Sequence, residues 1–259
     1  MTAEDYLFQI LQRYTPRSLF SYLTSITQLK NTLREWANTC YISILDSGSR
    51  AKGTAISLAS DVDYLVSLTS NCNEDNGGLK SIYESLFDKL RGCYTNVRKQ
   101  NVSIRINLNG LEVDVTPARK QNGSINYHWI YLSRSGTRQQ TNIQRHISDI
   151  SKSERTKEIK ILKIWRELNQ LDFPSIYLEY LLIDILLYKP KEVDSFVANA
   201  SYIFDELAKD EDNPLFTRIV DPANSNNILS DLLIDSEKNK IIDQAKIAAN
   251  QHYWNNIIW

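Results

Sequence analysis

Net charge is almost missing from this 259-residue chain: 30 Lys and Arg stand against 31 Asp and Glu, a formal charge of −1. A surface that clamps long RNA or duplex DNA needs a visible basic excess to neutralise phosphates. No dedicated surface for long nucleic acid is therefore expected. Histidine is scarce, and His128, His146 and His252 are too scattered for a zinc site or a Ser-His-Asp triad. Cys40, Cys72 and Cys93 are odd in number and lack metal-ligand spacing. They read as reduced thiols of a cytosolic protein. The chain has no run of roughly eighteen apolar residues of the kind a membrane-spanning helix needs. It opens on Met1-Thr2-Ala3-Glu4-Asp5, which is no signal peptide. The expectation is a cytoplasmic protein without membrane attachment. There is no internal repeat, low-complexity tract or long linker.

What the chain does have is Ser47-Gly48-Ser49-Arg50-Ala51-Lys52-Gly53-Thr54, followed shortly by Ser60-Asp61-Val62-Asp63-Tyr64-Leu65-Val66. A Gly-Ser turn lets backbone approach a phosphate closely, because glycine has no Cβ and tolerates positive φ. Two Asp at i, i+2 on a strand project from one face, roughly 6–7 Å apart. Side by side they repel one another unless a cation lies between them. That geometry suits divalent metals. Two ions about 3.5–4 Å apart can clamp the attacking and leaving oxygens of a phosphoryl or nucleotidyl transfer.

A third carboxylate comes from a hairpin. Val102-Ser103-Ile104-Arg105-Ile106-Asn107-Leu108 alternates as a strand, and Asn109-Gly110 is a strong short-turn signal. Leu111-Glu112-Val113-Asp114-Val115-Thr116 then alternates again and is expected to stop at Pro117. Leu111, Val113 and Val115 take one face; Glu112, Asp114 and Thr116 take the other. Glu112 reads as an exposed strand residue.

Apolar spacing predicts helices near residues 4–14 and 18–38, a buried strand over 41–45 and a short helix beginning in 50–57. A strand over 61–67, a loop over 69–78 and a helix over 79–91 follow. After about residue 150 the pattern turns helical, with segments near 159–168, 177–187, 193–207 and 237–258. The expected fold class is α+β: a lobe of residues 1–150 with a small mixed β-sheet and N-terminal helices, then an all-helical lobe of residues 151–259.

The Gly-Ser turn followed by Asp-x-Asp resembles the signature of the polymerase-β nucleotidyltransferase superfamily. Val113-Asp114-Val115 resembles its third acidic strand, which is why Asp114 and not Glu112 is chosen. Thr156-Lys157-Glu158-Ile159-Lys160-Ile161-Leu162-Lys163-Ile164-Trp165-Arg166 and Phe173-Pro174-Ser175-Ile176-Tyr177-Leu178-Glu179 resemble two helices of the cyclic-GMP-AMP-synthase-like group. So does the turn Asp221-Pro222-Ala223-Asn224. With Thr116-Pro117-Ala118-Arg119, Thr141-Asn142 and His146, the chain is most similar to bacterial cGAS/DncV-like nucleotidyltransferases, over about residues 40–230.

This resemblance implies an active site in a cleft between the lobes. Asp61, Asp63 and Asp114 would be catalytic and would bind two Mg²⁺, with Mn²⁺ as a substitute. Gly48, Ser49, Lys52, Lys163, Ser175 and Tyr177 would bind nucleotide, with Lys163 and Ser175 on the triphosphate. In some relatives an aromatic directly follows that Ser; here Ile176 precedes Tyr177. Read from the residues alone, Ser175 after Pro174 fits a helix N-cap, Tyr177 and Trp165 fit a core, and Asp221 fits a turn residue. The substrates would be NTPs, ATP among them, and the product a cyclic oligonucleotide of antiphage signalling. A downstream effector would bind that product and not this chain. The alternatives are template-independent nucleotide addition to RNA 3′ ends and a non-enzymatic nucleotide sensor. An intact acidic triad speaks against the sensor.

Overall fold

The computed structural model describes residues 1–59, 61–73 and 75–259. Ser60 of the acidic motif and Glu74 of the expected loop lie outside the described residues. In chain order the elements are α1 (Ala3–Arg13), α2 (Leu23–Ala37), β1 (Tyr41–Ser47), α3 (Gly48–Ala51), β2 (Val62–Leu68), α4 (Gly78–Cys93), β3 (Arg98–Lys99), β4 (Ile104–Leu108) and β5 (Leu111–Lys120). Then come β6 (His128–Leu132), β7 (Thr137–Thr141), α5 (Ile143–Ser153), α6 (Thr156–Leu168), α7 (Ser175–Ile185), α8 (Phe196–Leu207), β8 (Val220–Asp221), β9 (Asn224–Ile228) and α9 (Asp235–Ala249).

Contacts divide the chain into two units, one of Arg17–Lys52 and Ser60–Ile147, the other of Met1–Pro16, Gly53–Ala59 and Ser148–Trp259. This differs from a single boundary at residue 150. α1 joins the C-terminal helices because Leu7 and Ile10 are buried in their core. The segment Gly53–Ala59 does so through Ile56, which enters the same core, and through a hydrogen bond from the Ser57 amide to the Tyr14 carbonyl at 2.8 Å.

The first unit is built on a mixed sheet. Its order is β1-β2-β5-β4-β3, with β6 and β7 extending from β5. β1 and β2 are antiparallel, β2 and β5 parallel, β5 and β4 antiparallel. Val62, Tyr64 and Val66 of β2, Ile104 and Ile106 of β4, and Val113 and Val115 of β5 share a core with α2 and α4. The two helices supply Ile26, Leu29 and Leu33, then Ile82, Tyr83, Leu86 and Leu90, at the three-to-four spacing of a buried stripe. The alternate residues Asp63, Leu65, Asp114 and Thr116 are thereby turned to the opposite face.

Three expectations need correction here. β5 does not stop at Pro117 but runs to Lys120. Its pairing with β4 has ended at Val115 and that with β6 starts at Ala118, so on this edge no ladder asks for the missing N–H. The short helix starts at Gly48 and ends at Ala51, earlier than 50–57. Cys40 and Cys72 are not reduced thiols but a disulfide, with Cα atoms 5.5 Å apart. The antiparallel β1–β2 register, with Tyr41 opposite Leu68, brings the two cysteines together just beyond the strand ends. Cys93 is free and exposed.

The second unit packs α6, α7, α8 and α9 around a core holding Trp165, Phe173, Tyr177 and Phe204. It is not all-helical, because β8 and β9 form an antiparallel pair closed by Pro222-Ala223. Among the described residues no helix is long and apolar enough to cross a membrane.

The turn between β4 and β5 has Asn109 at φ 53° and Gly110 at φ 89°, as a two-residue hairpin of primed type requires. Leu108 faces Leu111 across it, which fixes the register of the whole hairpin. A Cβ at Gly110 would meet nothing within 4 Å. Gly110→Ala should then cost about 1–2 kcal/mol from backbone strain alone. Gly92, inside α4 and equally uncrowded, should gain about 0.4–1 kcal/mol on change to Ala. Urea unfolding of the two variants checks the opposite signs.

Candidate active site

Strand register assembles the acidic cluster. Asp63 lies opposite Asp114 across the parallel β2–β5 pair, and Asp114 lies opposite Arg105 across β5–β4. Ser47, the last residue of β1, lies opposite Asp63. One row of cross-strand neighbours thus runs Ser47, Asp63, Asp114, Arg105. Directly opposite Cβ atoms sit roughly 4.5–5.5 Å apart, close enough for like charges to destabilise a pair. Asp61 was expected on the strand beside Asp63; β2 starts at Val62, so Asp61 sits just before it.

Gly48 makes this row possible. Its φ is +64°, and a Cβ built there would fall 1.8 Å from Asp63 Oδ2. Glycine is therefore needed twice, for the left-handed backbone and for the space that the carboxylate fills. Ser49 follows in α3, and Lys52 is the C-cap residue of that helix.

The electrostatics are those of crowded carboxylates. Burial first, then Asp114 and Asp61, push the Asp63 carboxyl up to about 6, while Lys52 and Arg105 pull it back. Asp61 is also raised, chiefly by burial, against the opposing field of Arg105. Arg105 is held still more firmly charged than a free guanidinium, its hydrogen bond to Asp114 being the first cause. Its Nη2 donates to Asp61 Oδ2 at 2.7 Å and to Asp114 Oδ2 at 2.6 Å. Its Nε donates to Asp114 Oδ1 at 3.1 Å, and its Nη1 to Glu112 Oε2 at 2.7 Å.

The donor set suits a hard divalent cation, since carboxylate oxygens are the ligands Mg²⁺ and Mn²⁺ prefer. Arg105 stands in for such a charge between Asp61 and Asp114. Among the described residues no three His, Cys, Asp or Glu side chains are gathered at metal-binding distance. Beside the row a cavity of about 210 Å³ is lined by Ser47, Gly48, Lys52, Leu65, Thr116, Ile130 and His146. Leu65 and Thr116 are each two residues beyond a cluster aspartate, so they belong to the same face.

The other expected nucleotide contacts lie in the helical unit. Lys163 is buried; its Nζ donates to Glu179 Oε1 at 2.6 Å and to Thr54 Oγ1 at 3.0 Å. Thr54 in turn donates to the same Glu179 oxygen at 2.8 Å. Ser175 is the first residue of α7 and makes no N-cap; Pro174 occupies the cap position. The Ser175 hydroxyl accepts from Arg166 Nη1 at 2.9 Å instead. Tyr177, expected among the nucleotide contacts, is corrected: its ring is fully buried against Phe173, 5.5 Å between centroids, and its hydroxyl donates to the Leu215 carbonyl at 2.8 Å. A buried ring offers no face to a base. Asp221 is a turn residue, accepting from the Ala223 amide and from Asn227.

The residue that sequence reasoning passed over is Arg105. The signal was present. A two-residue Asn109-Gly110 turn pairs Leu108 with Leu111, and counting outward from it places Arg105 opposite Asp114.

No family model matches the chain. It is 24% identical over 243 residues to a cyclic AMP-AMP-AMP synthase of Escherichia coli (strain MS 115-1), across 80% of this chain and 74% of that protein. The structure of E. coli MS115-1 CdnC in complex with HORMA-deltaN is similar with a TM-score of 0.75 at 20% identity, covering 99% of this chain and 96% of that one. CdnC with ATP gives 0.73 at 20% identity, over 99% and 97% of the two chains. The Bradyrhizobium diazoefficiens CD-NTase CdnG in complex with GTP gives 0.73 at 10% identity, over 100% and 95%.

Two tests follow from the geometry. The Asp63 carboxyl sits near 6 in the fold against an ordinary 3.8. The fold thus favours the protonated acid, and unfolding releases that proton. In metal-free protein this group lowers stability as pH rises between those two values, by about 3 kcal/mol in full. Asp63→Asn removes the effect. Its melting temperature should match the wild type near pH 4 and exceed it above pH 6, whereas parallel curves would contradict the shift. Glu179→Ala takes the carboxylate from a buried ammonium and should cost about 3–5 kcal/mol in urea unfolding.

Proposed function

We propose that this chain, a nucleotidyltransferase similar in sequence and fold to the cGAS/DncV-like enzymes, joins NTPs into a cyclic oligonucleotide, expels pyrophosphate, and so supplies an antiphage second messenger. The observation that carries this reading is the register that sets Asp63 against Asp114 in the middle of the sheet, with Asp63 packed on Gly48. A sheet that spends a central position on two facing carboxylates gains nothing in stability from it. The arrangement makes sense as a cradle for positive charge at a phosphoryl centre.

In this reading Asp61, Asp63 and Asp114 hold Mg²⁺, which when bound neutralises charge on the triphosphate and on the leaving group. Asp114 takes the proton of the attacking hydroxyl or positions the group that does. The Gly48-Ser49 backbone comes close to phosphate because no Cβ intervenes, and Lys52 adds a positive charge on the same side. The cavity along Leu65 and Thr116 shelters the nucleotide from water. The resemblance assigns Lys163 and Ser175 to the triphosphate. Lys163 would have to exchange Glu179 for phosphate, and Ser175 is already oriented by Arg166. Catalysis is then mostly alignment and charge neutralisation. The effector is taken to bind the product, and ATP is taken as one substrate.

Incubation with radiolabelled NTPs and Mg²⁺ or Mn²⁺, with and without RNA, tests the proposal. NTPs alone should yield a small product resistant to phosphatase, because ring closure leaves no terminal phosphate. Label found only in lengthened RNA would overturn the cyclase reading in favour of RNA tailing.

A further inference from the structure

We propose that Arg105 is a built-in counter-ion of the acidic cluster, which holds Asp61 and Asp114 in the metal-free protein and must release them when metal binds. This rests on the nucleotidyl-transfer reading of Asp61, Asp63 and Asp114.

The geometry is selective. The guanidinium forks onto Asp114 through Nε and Nη2, the two-pronged arrangement that makes arginine–carboxylate pairs strong. The same Nη2 reaches Asp61. Both carboxylates thereby spend oxygens on N–H donors, and an oxygen so engaged is not open to a cation from that side. Arginine suits the task because it keeps its charge at any working pH. Its position is imposed by the Asn109-Gly110 hairpin, which fixes Arg105 opposite Asp114. No such hydrogen bond ties Arg105 to Asp63. The side chain of Arg105 is a quarter exposed, and that of Asp61 is more exposed still. Solvent can therefore reach the contact that has to open.

Glu112 supplies the other half of the device. It is two residues from Asp114 on the same face of β5, and it accepts from the remaining nitrogen, Nη1. Arg105 can keep this partner while it gives up Asp61 and Asp114. Its charge then stays compensated after release, and Glu112 acquires a role that an exposed strand carboxylate alone would not have. The coupling sets a threshold: metal must outcompete an internal cation, so ions alone bind less tightly than the three carboxylates would otherwise allow. Arg105 is in this sense a positioning residue for the metal ligands.

The test measures Mn²⁺ binding to the full chain by the electron paramagnetic resonance of free Mn²⁺, without nucleotide, alongside melting with and without Mn²⁺. In Arg105→Gln the affinity should rise about tenfold, the scale of one displaced charge-assisted hydrogen bond. Its metal-free melting point should fall, and Mn²⁺ should restore it. Arg105→Lys keeps the charge without the fork and should show a smaller rise in affinity; it decides the question if the Gln variant does not fold. Equal or weaker Mn²⁺ binding in the folded variants, still abolished by Asp63→Asn, would overturn the role of Arg105 alone. Absence of any Asp63-dependent Mn²⁺ binding in wild type and variants would overturn the underlying site as well.

Discussion

Like charges facing one another on neighbouring strands weaken a sheet, yet Asp63 faces Asp114 at the centre of this one. Much of the surrounding structure follows from containing that repulsion. Asp63 is pushed toward its neutral form, Arg105 is drawn into contact with its partners, and Gly48 is stripped of a Cβ so that the Asp63 carboxylate has room. The opposite face carries the compensation. Val62, Tyr64, Val66, Val113 and Val115 are all buried against α2 and α4, and burial of such side chains contributes about 1.5–3 kcal/mol each. A strongly packed face allows its reverse side to hold an unfavourable charge arrangement.

The parts legible in the sequence were those governed by short-range rules. Period-2 alternation exposed β2, β4 and β5, and the Asn109-Gly110 dipeptide announced the hairpin of β4 and β5. Helical spacing marked α1, α2, α4 and the helices after residue 150. The Gly-Ser turn and the Asp-x-Asp spacing pointed to a charge-binding site before any fold was known. Asp63 and Asp114 meet because β2 and β5 are parallel neighbours, a long-range pairing that no local pattern encodes. The likeness to a known superfamily, and not periodicity, singled out Asp114 over Glu112.

What stayed hidden depended on tertiary contact. The Gly53–Ala59 segment looks like a connector, but Thr54 is locked to Lys163 and Glu179, residues more than a hundred positions away. Lys163 looks like any helix lysine, and only that buried carboxylate shows why a cation is tolerated there. For Tyr177 the residues alone pointed to a core and the resemblance to a nucleotide contact; Phe173 and Leu215 close over it as the core reading has it. The Cys40–Cys72 bridge could not be read from three cysteines without metal spacing, because it depends on the β1–β2 register.

The central claim is that the carboxylate row performs nucleotidyl transfer. Its most direct measurement is the stoichiometry of pyrophosphate released per NTP consumed, compared between wild type and Asp114→Asn. The account predicts one pyrophosphate per NTP from the wild type and none from the variant, whose melting curve should remain cooperative. Release of orthophosphate in place of pyrophosphate, or undiminished turnover by folded Asp114→Asn, would contradict it.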